Sequence, residues 1–367
     1  MSVYAELGVR PLINAWGTVT AVGGSLMAPE VLDAMREASE SFVDLHALQH
    51  TAGARLAALL GAEAACITSG AAAGLTLAAA ACMTASAPER REQLPVTTGM
   101  PDECLMLRAH RNRYDRAVSI SGARIIDVGT ATMSTPAELR AAVTDRTAML
   151  LYMAESEQAP GSLSLSAVCD IMREHGVPVV VDAAAELPPR SRLASYADDG
   201  ADLVIVSGGK QIRGPQSSGM ILGKAALVAE CEALGYPNHG IGRGMKTDKE
   251  TIAGLVRAVE LFVQRDETAE LAGWEAMVAA LMDGLGGSTV LRARRHLPPG
   301  PGIQPAGIPR VYAMPLRRTA MEVQMRLREA DPAVAVGTDG EEIAINPQCL
   351  RADQVDLVVR ALEEACA

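Results

Sequence analysis

Aromatic residues are scarce in this chain: Phe, Trp and Tyr together make up 3% of its 367 residues. Its interior must therefore be filled by Ala, Val, Leu, Ile and Met. At 49% apolar residues there is enough material for a sizeable core. Ala-rich helices can approach a sheet closely, which suits a layered α/β protein. Excess basic charge is also missing. The formal net charge is −11, so nucleic acid, which needs a Lys/Arg field to displace its counterions, is not an expected partner. A local basic pocket stays open. Long apolar runs are absent too. The stretch poorest in charge, Ala64 to Ala87, is broken by Gly, Ser and Thr, and reads as a strand followed by a packed helix rather than a membrane span. The opening Met1-Ser2-Val3-Tyr4-Ala5-Glu6 lacks the basic and apolar regions of a signal peptide. The seven cysteines (Cys66, Cys82, Cys104, Cys169, Cys231, Cys349 and Cys366) form no C-x-x-C pair and are odd in number. A reduced cytoplasm is the simplest location.

What is present is an alternation of short apolar runs with helical segments. Pro29 to Val43 and Leu45 to Leu60 read as helices, the first opened by Pro29 and the second closed by Gly61. Seven apolar runs follow, at Ala65–Thr68, Cys104–Leu107, Arg124–Val128, Ala148–Met153, Val177–Val181, Leu203–Val206 and Met220–Leu222. Such alternation predicts a mostly parallel seven-stranded sheet covered by helices on both faces. From about Asp248 the pattern changes to two long helices, Lys249–Gln264 and Glu270–Leu285, then a Gly/Pro cluster at Pro298 to Gly302. Candidate strands at Arg310–Met314, Ala333–Gly337 and Glu342–Ile345 and a helix at Ala352–Ala365 complete the chain. The expected division is an N-terminal arm and large domain over 1–247 and a small α/β C-terminal domain over 248–367.

Four strand ends carry residues able to do chemistry. Asp202-Leu-Val-Ile-Val-Ser207-Gly-Gly-Lys210 is an apolar strand ending in a turn that delivers a lysine. In doubly wound folds ligands sit beyond the carboxyl ends of the strands. The flanking glycines allow unusual backbone conformations and leave room for a bulky group. A phosphate-binding loop of the form G-x-x-x-x-G-K-[ST] is excluded, because Val204 and Gln211 stand where Gly and Ser or Thr are needed. In Val177-Pro-Val-Val-Val-Asp182-Ala-Ala-Ala-Glu186 the carboxylate of Asp182 falls where a buried strand gives out. Such a group needs a cation or donors. The protonated ring nitrogen of pyridoxal phosphate would be one such cation, and the small Ala184 would leave room for a flat ring. Cap formation by Asp182 is the plain structural alternative. Cys66-Ile-Thr-Ser69-Gly70-Ala71 runs from strand to helix, offering helix N–H groups and a hydroxyl to a phosphate, or simply an N-cap at Ser69. His110, after the second run, could stack on a ring or move protons, although alone it reads as part of a solvated loop. His46 and His50 share a helix face, but Ala47 replaces the glutamate that a zinc protease requires. No metal site is expected.

The order Ser-Gly-Ala, His, Asp, Lys resembles that of fold-type-I pyridoxal-phosphate enzymes, whose fold is aspartate-aminotransferase-like. Longer stretches are similar to a narrower group, the bacterial selenocysteine-synthase-like family that includes glucosaminate and glucosaminate-6-phosphate ammonia-lyases. They are Arg10-Pro-Leu-Ile-Asn14-Ala-Trp-Gly17-Thr18, Gly23 to Glu30, Thr68 to Ala73, Val181-Asp-Ala-Ala-Ala-Glu-Leu-Pro-Pro189, Ser207-Gly-Gly-Lys-Gln-Ile-Arg-Gly-Pro-Gln216 and Gly242-Arg243-Gly-Met-Lys246. The resemblance spans about residues 8 to 260. It implies Lys210 as the cofactor's lysine and later acid and base, Asp182 as partner of the ring nitrogen, and His110 stacked on the ring. Ser69, Gly70 and Ala71, with Ser207 as helper, would hold the phosphate. Asn14, Arg243, Lys246 and Arg310 become candidates for the polar groups of a small amino-acid substrate. Selenocysteine synthases carry an extra N-terminal RNA-binding domain, whereas this acidic chain begins close to the Arg10 motif, so selenium transfer to tRNA is not expected. The expected reaction is α,β-elimination from a β-hydroxy amino acid by a homodimer or higher even oligomer. Racemisation, retro-aldol cleavage and a non-catalytic cofactor-binding role are the alternatives, and the joint presence of Lys210 and Asp182 counts against the last.

Overall fold

The computed structural model describes residues 3–298 and 305–367. Most of the Gly/Pro cluster read at Pro298 to Gly302 therefore lies outside the described residues. By internal packing the chain divides into a larger unit, 27–264, and a smaller one made of 3–26, 265–298 and 306–367.

The larger unit holds a seven-stranded sheet. Its strands are β2 (Ala64–Thr68), β3 (Glu103–Leu107), β4 (Arg124–Val128), β5 (Thr147–Met153), β6 (Val179–Asp182), β7 (Leu203–Ser207) and β8 (Gly219–Gly223), with β1 reserved for the arm. They lie in the order β2-β8-β7-β6-β5-β3-β4, and all run parallel except β8. All seven apolar runs read from the sequence are strands of this sheet. Successive side chains of a strand point to opposite faces. Leu105 and Leu107 join one core with Val179, Val181 and the helix Lys249–Gln264, while Cys104 and Met106 join another with the helix Ala71–Thr84. Both faces of the inner strands are dry, which is why those runs are continuously apolar rather than alternating, whereas the edge strand β4 is largely exposed and carries Arg124 and Asp127. Ala78 to Ala81 are fully buried, and a Cβ at Gly74 would lie 2.9 Å from Ile205 Cγ2. Small side chains thus let this helix sit directly on the sheet.

The register sets the ends of β5 and β6 level, and β7 runs two residues beyond them. Met153 of β5 pairs with Asp182 of β6, and Asp182 pairs with Ile205 of β7. Loops leaving these strands consequently start from one edge of the sheet.

The smaller unit carries a five-stranded sheet of β1 (Leu12–Ala15), β9 (Leu291–His296), β10 (Arg310–Pro315), β11 (Ala333–Asp339) and β12 (Glu342–Ile345), ordered β1-β11-β12-β10-β9. Two of these strands differ from the sequence reading. β1 is only four residues long, and its partner β11 is more than 300 residues away, so no local pattern announces it. β9 is an edge strand whose arginines mask its periodicity, as charged edge strands do. The boundary also differs. The arm contributes Ile13 and Ala15 to the small core, and Lys249–Gln264 packs through Leu255 and Val259 into the large one. No helix among the described residues is long and apolar enough to cross a membrane.

One buried ion pair ties the larger unit together. Glu230, 5% exposed, accepts from Thr84 Oγ1 at 2.6 Å and from both Nε (2.8 Å) and Nη2 of Arg91. Burial alone would raise its carboxyl, but the bonds from Arg91 and Thr84 outweigh it and hold the group below its ordinary value. Arg91→Ala would strand this carboxylate. Breaking a fully buried pair costs ~3–5 kcal/mol; because Arg91 is itself partly exposed, about 2 kcal/mol is expected from urea midpoints. A carboxyl with a lowered folded value stabilises above the ordinary carboxylate range and loses that contribution as pH falls. The difference between the two proteins should therefore shrink in acid.

Candidate active site

Lys210 lies three residues beyond β7, in a turn held by Gly208 N–H donating to Ser218 O (2.9 Å) and Gly214 N–H donating to Gly208 O (2.8 Å). The glycines are needed for space, not for left-handed backbone. A Cβ on Gly208 would fall 2.1 Å from Ser218 Oγ, and one on Gly209 2.5 Å from Gln216 Cα, while neither residue has positive φ. The Lys210 amine is largely enclosed and makes neither hydrogen bond nor ion pair among the described residues. Burial lowers its proton affinity, opposed by the carboxylates of Asp182, Glu155 and Glu186.

Asp182 ends β6 and is 7% exposed. One oxygen, Oδ1, accepts from Ala184 N–H at 3.0 Å. Burial pushes the carboxyl up to about 6, against the lowering effect of that N–H and of Lys210. Its other oxygen has no hydrogen bond among the described residues. Such a carboxylate is suited to a cation brought by a ligand.

At the end of β2, Gly70 adopts φ 127° and ψ 167° and forms the N-cap of the helix Ala71–Thr84. This corrects the expectation of a cap at Ser69: no side chain caps the helix. Thr68 Oγ1 donates to Gly70 O at 2.9 Å, and a Cβ on Gly219 of β8 would lie 2.7 Å from Gly70 C. The first-turn N–H groups and the Ser69 hydroxyl thus form an uncapped, positively polarised cradle, a ready anion site. Ser207 closes β7 two strands away in the sheet order.

His110 is fully buried rather than part of a solvated loop. Nδ1 accepts from Met153 N–H at 3.1 Å, which leaves Nε2 to donate to Ser162 Oγ at 2.9 Å. The ring meets Tyr152 edge to face, with centroids 4.6 Å apart. Burial lowers its pKa to about 4. The imidazole is neutral at pH 7, and moving a proton through it would require breaking both bonds.

The proposed substrate residues are spread over the two units. In the larger unit, the Arg243 guanidinium lies 5.2 Å from the centre of the Tyr236 ring, and Lys246 is exposed. In the smaller unit, Asn14 spends its amide on its own turn, donating to Gly17 O (2.9 Å) and accepting from Trp16 and Gly17 N–H. Arg310 begins β10, is 3% exposed, and has its pKa pulled down to about 10 by burial.

Two carboxylates beside Lys210 were not singled out by sequence reasoning. Glu155 follows β5 and accepts from Asn112 Nδ2; Glu186 follows Asp182 by four residues. A carboxylate shortly after an apolar strand was the available signal, and Glu186 stands in the same motif as Asp182.

The residues fit pyridoxal phosphate: an unbonded enclosed lysine, a buried carboxylate with an open oxygen, and an uncapped helix N-terminus at a third strand end. Fold and site together define a fold-type-I pyridoxal-phosphate enzyme. A serine palmitoyltransferase solved with PLP has the same fold, with a TM-score of 0.61 over 96% of this chain and 87% of that one at 15% identity. The SelA family model, described as L-seryl-tRNA selenium transferase, matches residues 12–283, and the chain belongs to that family. It is 33% identical to a D-glucosaminate-6-phosphate ammonia lyase of Salmonella typhimurium over 76% of this chain and 75% of the relative. The solved structure of D-glucosaminate-6-phosphate ammonia-lyase superposes with a TM-score of 0.84 at 30% identity, covering 100% of this chain and 98% of that one. A 5'-C-glycyluridine monooxygenase-decarboxylase of a Streptomyces species is also 33% identical, over 98% of this chain and 91% of the relative.

Proposed function

We propose that this chain is a pyridoxal-phosphate-dependent ammonia-lyase, eliminating the β-hydroxyl of an amino sugar acid and releasing ammonia. The observation that carries the reading is the enclosed, unbonded Lys210 amine beside Asp182, in a chain similar from end to end to an ammonia-lyase of known structure. When bound, the cofactor supplies an electron sink for the pair left at the α-carbon. Lys210 would hold the cofactor and, once its amine is free, would take the α-proton. Burial lowers its proton affinity, which favours the free amine that this step needs. Asp182 keeps a proton at the ring nitrogen. Ser69, Gly70 and Ala71, helped by Ser207, hold the phosphate, while His110 and Ala184 bound the ring. Arg243 and Lys246 are the candidates for the substrate's anionic group in the larger unit, and Arg310 in the smaller; Asn14 would first have to leave its turn. The enzyme acts in the cytoplasm as a homodimer or higher even oligomer.

The test is proton NMR in deuterated water with D- and L-amino sugar acids, including D-glucosaminate and its 6-phosphate. The expected products are a 3-deoxy-2-keto acid and ammonia. Exchange at the α-carbon without a product would instead make it a racemase, and cleavage to glycine and an aldehyde a retro-aldol lyase. Inertness toward all of them would support a binding protein. A second reading, oxidative decarboxylation of a glycyl-bearing nucleoside, is favoured by the near full-length match to the Streptomyces relative. Oxygen uptake with release of carbon dioxide would replace the lyase reading by that one.

A further inference from the structure

Three carboxylates surround Lys210, and their hydrogen bonding is unequal. Asp182 accepts from the Ala184 N–H, and Glu155 accepts from the Asn112 amide. The half-buried Glu186 differs: its carboxyl makes no hydrogen bond and no ion pair among the described residues. The nearest cation besides Lys210 is Arg192, on the helix Arg192–Asp198, but its Nη2 is paired with Glu157 at 2.9 Å and its guanidinium lies over Tyr196. The charges acting on Glu186 are those of Asp182 on its own loop, Glu155 after β5, Lys210 after β7 and Arg192. With three acids against one central amine, the group is stabilised by keeping one proton. A carboxyl that accepts no hydrogen bond is the one to keep it. Burial and the neighbouring carboxylates raise Glu186 to about 7, with Arg192 and Lys210 opposing, which agrees with that assignment.

A β-hydroxyl cannot leave readily as hydroxide; it departs as water once a proton reaches it. We propose that Glu186 is the acid that protonates the departing β-hydroxyl, separate from Lys210, which takes the α-proton. The inference rests on the lyase reading above. The step balances as follows. The Cα–H bond breaks and its proton goes to Lys210 Nζ. The electron pair becomes the Cα=Cβ bond as the Cβ–O bond breaks, and the oxygen leaves with the Glu186 proton as water. Glu186, left as carboxylate, regains a proton from solvent. The released enamine takes a proton at Cβ and is hydrolysed by water to the keto acid and ammonia.

The experiment compares the wild-type holoenzyme with Glu186→Gln and Glu186→Asp, using an accepted β-hydroxy amino acid and β-chloroalanine, whose chloride needs no proton to leave. Glu186→Gln should lose at least about 100-fold in elimination of the hydroxyl, as expected for a lost general acid. Elimination of chloride and deuterium exchange at the α-carbon should stay within about 3-fold, and Glu186→Asp should recover part of the loss. Wild-type hydroxyl elimination should fall as pH rises through about 7, where Glu186 loses its proton, and chloride elimination should lack that limb. A readout free of turnover is the infrared band of a protonated carboxyl in the holoenzyme below neutral pH, which Glu186→Gln should remove. Equal losses for both leaving groups, an unchanged hydroxyl reaction or an unchanged band would overturn the role of Glu186 while the lyase reading stands. A wild-type enzyme that eliminates no β-hydroxyl would overturn both.

Discussion

Lys210→Ala is expected to abolish turnover, by about 10⁴-fold or more, since one residue is proposed both to anchor the cofactor and to move the α-proton. The protein should still fold. Lys210 makes no hydrogen bond or ion pair among the described residues, and removing a lysine from an enclosed site relieves a desolvation cost. The phosphate cradle proposed at Ser69 to Ala71 is untouched, so cofactor should remain associated without covalent attachment. Borohydride reduction followed by peptide mapping checks this directly. In the wild-type protein the label should fall on Lys210, and in the variant no lysine should carry it. A label on Lys224 or Lys246 would assign the site elsewhere. Lys224 caps a helix beside Glu63 and Lys246 is exposed, so neither shares Lys210's enclosure.

The second large effect is expected from Asp182→Asn. The isosteric amide keeps the shape of the β6 end and can still accept from Ala184 N–H through its oxygen. What it loses is negative charge beside the ring nitrogen, and with it the preference for a proton there. Cofactor should be retained at near wild-type occupancy, while turnover falls by roughly 10³-fold, comparable to losing a preorganised electrostatic partner of the reacting system. Pre-steady-state kinetics should place the loss after substrate binding, with KM little changed. Near-normal turnover would mean that Glu155 or Glu186 performs this task instead.

Much of the larger unit was legible because its physics is local. The inner strands of a sheet buried on both faces must be apolar along their length, so such runs alternating with helices were enough to predict the sheet. Lys210 and Asp182 stood out as candidates for the same reason: a charged residue at the end of a dry strand is conspicuous. Arm strand β1 and edge strand β9 were not, since one is defined by a partner near the other end of the chain and the other presents arginines to solvent.

The tertiary structure decided matters that depend on partners. Sequence placed His110 at a strand end and made it a candidate to move protons. Only the fold supplies Met153 N–H and Ser162 Oγ, which occupy both ring nitrogens and leave it neutral. It made Gly208 and Gly209 conspicuous, but the reason for them is the approach of Ser218 and Gln216, residues brought back by the turn. It also contained Glu155 and Glu186 without marking them. They matter because parallel pairing sets the ends of β5 and β6 level beside β7, and a carboxylate's proton affinity depends on which donors stand beside it. Residue types and strand periodicity, both local, marked out the strand ends and the lysine proposed to act there, and the resemblance of the motifs pointed to the class of chemistry. The distribution of protons among the groups around that lysine depends on distances between strands, and those exist only once the sheet has formed.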